Sequence, residues 1–448
     1  MKRLLLIFIS VLLLLAVGKV IGYYLENRLY FHYILDAYVE SRESIVEDGY
    51  TDRTSYKKGD VQDVFINSRS EANSQLRLYD INGVVVDSVQ AFVQPQTKGP
   101  NPSEEGYRYQ RTFRYKLPAL SSGVYLWEKK IPFTLKGEQA DVVVVYPSNT
   151  VNAYNISGGK SLYRIFSGKT HVVSFQRPML PAVSFFAVEG LKWLQASPYN
   201  ISYINDQDLE NPAILTGAKV LLIIGHSEYW SRTARRQVDA FIDKGGHCMV
   251  LSGNTMWWQV RYAEDGTKLI CYKEKPDPIT IDSLKTTYWN SPILNYPITP
   301  SIGADFSRAG YGRKFRKSFG GYKITQSSSP VFAGINLKEG DVLKVSTKEY
   351  DGAPVLGEEP DLRLDTEQLG FYKAELLGYD RAYDEQPGYA TFIIFQKTPT
   401  SGVVLNTAST DWCGPHGIGG PDSVAIRKIT DNVLKAMLFN KNLFSKTP

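Results

Sequence analysis

The sequence predicts an α/β fold, a doubly wound domain preceded by a small β-sandwich, and three observations carry that prediction. Between Lys219 and Arg261 an apolar run, Val220–Ile224, breaks at Gly225 into a polar turn. An amphipathic helix follows with Ala234, Val238, Phe241 and Ile242 on one face, and beyond Gly245 and Gly246 a second apolar run, Cys248–Leu251, ends in Ser252-Gly253-Asn254-Thr255. That is a βαβ unit. Upstream, residues 140–146 form a continuous, largely β-branched run of the kind a fully buried parallel strand shows, and strand and helix patterns alternate after it. Before it, residues 63–133 carry short alternating runs such as Ser74–Tyr79, separated by turn signals at Asn82-Gly83, Gly99–Pro102 and Ser122-Gly123, which is a sandwich signature.

Taken in order, Lys2 and Arg3 precede an apolar run from Leu4 to Gly18, so residues 1–24 read as a signal peptide or a membrane anchor. Including Val20, Ile21, Tyr23 and Tyr24 brings the run near the roughly 20 residues a spanning helix needs. Ala16-Val17-Gly18 is a small-x-small cleavage site, so cleavage and retention both stay open, and either way the bulk of the chain is expected outside the cytoplasmic membrane. Residues 25–62 read as a lead-in, 63–135 as the sandwich closing on Gly123–Trp127, and 136–448 as the α/β domain. Within the last, a helix is expected over Val183–Ala196, a strand over Ile201–Ile204, and a short helix over Asp208–Leu215. A mixed insertion spans about 262–388. Strands over Ala390–Phe395 and Gly402–Asn406 resume the sheet, and a final helix, Ser423–Leu438, spaces Ile426, Ile429, Val433 and Met437 to pack on it.

Composition narrows the function. The net charge of +5 over 448 residues is mild, and apart from Arg313-Lys314-Arg316-Lys317 the basic residues are scattered, which argues against nucleic-acid binding. Cys248, Cys271 and Cys413 are odd in number and far apart, so they form neither a disulfide framework nor a Cys-x-x-Cys metal site; Cys248 reads as a small buried hydrophobe. Nothing in the sequence rules a homo-oligomer in or out.

In a parallel sheet both strands of the βαβ unit end on one edge. His226, Glu228 and Asn254 therefore converge where open α/β sheets place their ligand crevices, and they are the candidate catalytic residues. Glu228 alone also fits a helix N-terminal acid, worth about 0.3–1 kcal/mol. Trp230, Trp257 and Trp258 read as core or crevice wall, with Trp258 on the substrate side; His247 reads as structural, and His416 as a further crevice candidate.

The GHSEYW turn, Gly225–Trp230, the SGNT strand end with its WWQVR continuation, and the loop SNTVNAYNISGGKSLY, Ser148–Tyr163, together resemble the catalytic subunit of N,N-dimethylformamidase and its relatives. The SGVYLW strand and the late STDWCGPHGIGG segment fit the same resemblance. It implies a β-sandwich followed by a domain similar to class I glutamine amidotransferases, and hydrolysis of a small amide at a mononuclear iron held by two tyrosines and one carboxylate. Carried over, Glu228 is the carboxylate ligand, Tyr154 one tyrosinate and Tyr125 the other, with His226 and Asn254 near the metal or substrate. Hard anionic oxygens suit ferric iron, and a metal keeps phenols ionised far below their free pKa of about 10. Three departures from the family pattern stand out: Ser227 and Gln259 replace an Asp and an Arg, and Asp380 replaces a substrate-side Glu. Formamide specificity is accordingly not implied.

Two other readings are open. Ser227 sits at a strand-to-helix turn like a nucleophile elbow, although Tyr229 occupies a position that wants glycine and no Asp–His pair follows. A membrane-tethered envelope protein that binds a sugar or glycan without catalysis also fits the mild charge and the 29 tyrosines.

Overall fold

The computed structural model describes residues 17–18, 21–41, 44–163 and 167–445. The chain divides into two units, residues 1–43 and 44–448. In the first, a helix runs over Arg28–Ser41. The apolar run from Leu4 lies outside the described residues as far as Ala16, and among the described residues no helix is long and apolar enough to cross a membrane.

The second unit begins with two facing sheets. One orders the antiparallel strands Val46–Thr51, Val61–Ser68 and Phe113–Lys116. The other orders Ser55–Lys57, Ile131–Lys136, Gly123–Trp127, Ala72–Asp80 and Val85–Val93. Alternation along each strand sends Val64, Ile66, Leu76, Leu78, Trp127 and Phe133 into one shared core. The Trp127 indole N–H, fully buried, donates to Gln62 Oε1 at 2.8 Å, so the indole donor is not stranded. The first two strands, Val46–Thr51 and Ser55–Lys57, lie in the stretch read as a lead-in.

A large sheet follows, with its strands numbered here in chain order: β1 Val142–Tyr146, β2 Ile201–Asn205, β3 Val220–His226, β4 His247–Gly253, β5 Asp305–Tyr311, β6 Gly321–Ile324, β7 Val342–Lys344, β8 Glu349–Gly352, β9 Lys373–Asp384, β10 Gln386–Gln396 and β11 Val403–Asn406. They lie in the order β2-β1-β3-β4-β11-β10-β9-β5-β8, with β6 pairing β9 and β7 pairing β6. Four helices matter below: α1 Ser148–Tyr154, α2 Val188–Gln195, α3 Arg232–Asp243 and α4 Ser423–Leu438. On one face Val143, Val145, Leu221, Ile223, Cys248 and Val250 pack with Ala234, Val238 and Ile242 of α3, while α4 contacts β3. Each such aliphatic side chain contributes about 1.5–3 kcal/mol on full burial, which is why β1, β3 and β4 carry almost no polar residue. The Ser231 hydroxyl accepts from Ala234 N at 3.0 Å and caps α3.

The doubly wound, glutamine amidotransferase-like expectation is overturned. Within the large sheet only β1, β2, β3, β4 and β11 run parallel; from β11 through β10, β9, β5 and β8 every pairing is antiparallel, and among the described residues strand outweighs helix. The residues read as an insertion instead supply β5 to β9 and continue the sheet. A parallel pair needs a long crossover, whereas β9 and β10 are joined by Glu385 alone, at φ 59°, a connection that only an antiparallel hairpin allows.

The sandwich is tied to this sheet by polar contacts at β2. Thr134 Oγ1 donates to Asn205 Oδ1 at 2.7 Å, Asn205 Nδ2 donates to the Thr54 carbonyl at 2.9 Å, and Ser55 Oγ donates to Asp208 Oδ1 at 2.8 Å. A smaller four-stranded sheet, ordered Val172–Ser174, Lys268–Ile270, Trp258–Tyr262 and Tyr229–Ser231, stands beside the ends of β3 and β4 and forms one wall of the site.

Candidate active site

β3 and β4 run parallel with His226 opposite Gly253, so the residues that follow, Glu228 and Asn254, leave the sheet side by side. Gly225 makes the departure possible. Its φ is 75°, and a Cβ there would stand 3.1 Å from the Phe186 carbonyl oxygen. From the end of β1, α1 brings Tyr154 over the same point, and the loop after it returns with Tyr163. Thr150, also on α1, accepts from the Glu228 backbone N–H at 2.9 Å and fixes where that residue sits.

The centre is the Glu228 carboxylate, 1 % exposed. The Tyr154 hydroxyl donates to its Oε2 at 2.9 Å and the Tyr163 hydroxyl to its Oε1 at 2.6 Å, with the two rings stacked at 4.0 Å. His226 Nε2 stands 3.4 Å from Glu228 Oε2 and 3.3 Å from Glu349 Oε2, and Asn254 Nδ2 donates to Glu349 Oε2 at 3.2 Å. Among the described residues neither His226 Nε2 nor Asn254 Oδ1, both buried, has a hydrogen-bond partner. Lys273, buried and at φ 61°, holds its ammonium 3.3 Å from the centre of the Tyr163 ring.

Charge explains the arrangement. Burial, then the neighbouring Glu228 carboxylate, pushes the phenols of Tyr154 and Tyr163 well above their ordinary value, so in this geometry both are neutral donors. Burial works against the Glu349 charge, but His226, Lys348 and Asn254 outweigh it and hold that carboxyl below its usual range. Burial lowers the Lys273 ammonium, with Glu228 opposing. Two acidic side chains, Glu228 and Glu349, thus stand within 3.4 Å of one imidazole nitrogen in a nearly closed space.

Among the described residues no group of three or more His, Cys, Asp and Glu side chains is arranged to hold a metal ion. A metal here must draw on tyrosine, and Tyr154, Tyr163 and Glu228 supply three oxygens that already converge. They fit a hard trivalent cation, because its charge would favour the phenolate forms that burial now opposes.

Of the residues singled out from sequence, His226, Glu228, Asn254 and Tyr154 come together, and Trp258 packs beside them in one cluster with Tyr229, Tyr154 and Tyr163. Tyr125 does not join them. It lies in the sandwich core, stacks on Phe133 and donates to the Ser121 carbonyl at 2.7 Å, and the tyrosine that joins Tyr154 on the Glu228 carboxylate is Tyr163. Asp380 is also elsewhere, fully buried on β9, where it accepts from Ser318 Oγ, the amides of Phe319 and Gly321 and the Tyr350 hydroxyl, so its oxygens are committed to holding a turn. Ser227 is no exposed nucleophile: it is buried, and its Oγ accepts from the Trp230 indole at 3.1 Å. His416 packs on Phe185, and burial first, then Arg313, lowers its imidazole. All three cysteines are buried, and burial pushes each thiol up to about 12.

Sequence reasoning missed Tyr163, Glu349 and Lys273. Tyr163 ends the very loop that carries Tyr154, nine positions on, and that shared loop was a usable signal. Glu349 and Lys273 lie in the stretch read as an insertion, where no pattern connects them to His226.

The sequence pattern described as N,N-dimethylformamidase beta subunit-like, C-terminal, matches residues 87–417. No curated protein matches the chain. A solved structure of a Paenibacillus sp. cycloisomaltooligosaccharide glucanotransferase, complexed with cycloisomaltoheptaose, is 13 % identical over 50 % of this chain and 33 % of that one, with a TM-score of 0.16. The chain thus spans about a third of that protein, and a likeness of this size bears on neither fold nor function. The family match covers most of the chain, including the elements that bear Tyr154, Tyr163, Glu228, Asn254 and Glu349, and on that extent the chain belongs to the N,N-dimethylformamidase beta subunit-like family.

Proposed function

We propose that the protein hydrolyses the C–N bond of an amide at a mononuclear iron held by Tyr154, Tyr163 and Glu228. The observation that carries the reading is the pair of tyrosine hydroxyls on the two oxygens of one buried carboxylate, with His226 and Glu349 against it. Held by these three residues, ferric iron would supply Lewis acidity for the hydrolysis of an amide. Glu349, held ionised and within reach of the same space, takes a proton from the attacking water. His226, between the two carboxylates, carries a proton to the departing amine nitrogen. Asn254, tethered to Glu349 through its Nδ2, keeps an unpaired Oδ1 in the site, which suits an amide N–H. Lys273 over the Tyr163 ring favours the anionic phenol.

The test is metal content with a visible spectrum on the purified chain. Near-stoichiometric iron with a tyrosinate charge-transfer band, shifted or lost in both Tyr154→Phe and Tyr163→Phe but unchanged in Tyr125→Phe, supports the site. Protein that stays colourless after reconstitution with iron rules it out. Export and attachment through residues 1–24 complete the proposal, and digestion of intact cells by an added protease tests them.

A further inference from the structure

We infer that Trp257, Phe306 and Tyr311 form a subsite for a flat apolar group, so that the substrate is an amide with one compact end and one aromatic or branched apolar end; this rests on the amide-hydrolase reading above. The inner part of the site is closed: Glu228 is 1 % and His226 5 % exposed, with the Tyr154, Tyr163 and Phe186 rings around them, so a group that reaches this point has to be compact. The approach from Asn254 and Glu349 is different.

Tyr311 ends β5 directly opposite Glu349 in the antiparallel ladder, and directly opposed residues share one face of a sheet. The Tyr311 ring therefore stands beside the Glu349 carboxylate. Its titration agrees: burial first, then Glu349, Asp384 and Glu228, pushes the phenol up to about 12. A row of rings leads away from it. Phe306 meets Tyr311 edge-on at 5.4 Å, Trp257 meets Phe306 edge-on at 5.6 Å, and Tyr288 stacks on Trp257 at 6.0 Å. Trp257 follows Asn254 by three residues, so the row joins the two groups, Asn254 and Glu349, that hydrogen-bond to each other.

Both ends of the row are open, Tyr288 and Tyr311 each being 37 % exposed. Among the described residues the Tyr311 hydroxyl makes no hydrogen bond, so a polar tip stands beside an apolar wall. The rings pack on one another, so a planar group would lie along their exposed edges rather than between them, and a small dialkyl amine would touch few of them.

The experiment uses the full chain and three probes, N-phenylformamide, N-benzylformamide and N,N-dimethylformamide. Binding is followed by ligand-observed NMR and hydrolysis by release of formate, in the parent protein and in Tyr311→Leu and Phe306→Leu, each checked for native circular dichroism. The expected result is tighter binding and higher kcat/KM for the aryl amides, with that preference falling about tenfold in the variants. Because Phe306 is buried, Tyr311→Leu at the exposed end keeps the test alive if Phe306→Leu misfolds. Equal or better turnover of dimethylformamide, with a preference the variants leave unchanged, overturns the inference and leaves the hydrolase reading standing. Ring-dependent binding of aryl amides without hydrolysis of any probe supports the subsite and overturns the hydrolase reading. No binding of either aryl amide overturns the inference outright.

Discussion

At the scale of single residues, the weight falls on Glu349, which has an environment that keeps it ionised at the cost of full burial. Glu349→Gln should reduce kcat by about 10²–10⁴ if it accepts the water proton. It should also remove the acid limb of the pH–rate profile, which in the parent lies below the usual carboxylate range because the Glu349 pKa is depressed. The same group contributes stability that is present above its unfolded pKa and lost as pH falls through the folded one. Two positions on, Asp351 behaves in the opposite way. Burial raises its carboxyl to about 8, and its Oδ2 accepts from Thr255 N at 3.2 Å behind the Asn254 turn. The folded state then holds a proton that the unfolded chain releases near its ordinary value, so stability falls as pH rises between the two and levels off above about 8. Asp351→Asn should be nearly neutral at pH 4 and stabilising by about 1–3 kcal/mol at pH 8, measured by urea titration. Of these site residues, those in GHSEYW and SGNT were legible because adjacent parallel strands must end together. Glu349 was not, since nothing local shows which distant strand lies against β5.

Among elements, the βαβ unit was readable because the hydrophobic period changes from a continuous run to a helical spacing and back, with glycines at each break. Gly225→Ala tests what that break does. A left-handed φ and the close Phe186 carbonyl make the change cost about 1–3 kcal/mol, and amide hydrolysis should fall with it because His226 is the next residue. Ser231→Ala, which removes the cap of α3, should cost about 1 kcal/mol in denaturant unfolding and leave the site chemistry unmoved. The antiparallel half of the sheet was not readable. Strands such as Gly321–Ile324 and Val342–Lys344 are too short for a period to show, and their burial depends on partners remote in sequence. The resemblance also drew the eye to Tyr125, whose motif was right for the family and whose ring packs the sandwich.

For the whole molecule, residues 44–448 form one compact unit in which Thr54, Ser55 and Thr134 of the sandwich bind Asn205 and Asp208 at β2. A chain beginning at Ser44 should therefore melt in one calorimetric transition, whereas residues 136–448 alone, which lose those partners, should melt lower or fail to fold. Two separate transitions in the longer chain would count against that coupling. The three sealed thiols give this unit a further property. Cys248 lies in β4, Cys271 beside the four-stranded sheet and Cys413 against Gly190 of α2, each in a different layer. None can meet a water-soluble alkylating reagent until its own layer parts from its neighbours, so the order in which mass spectrometry finds them labelled is a clock for how the molecule comes open, and it runs without a single engineered probe.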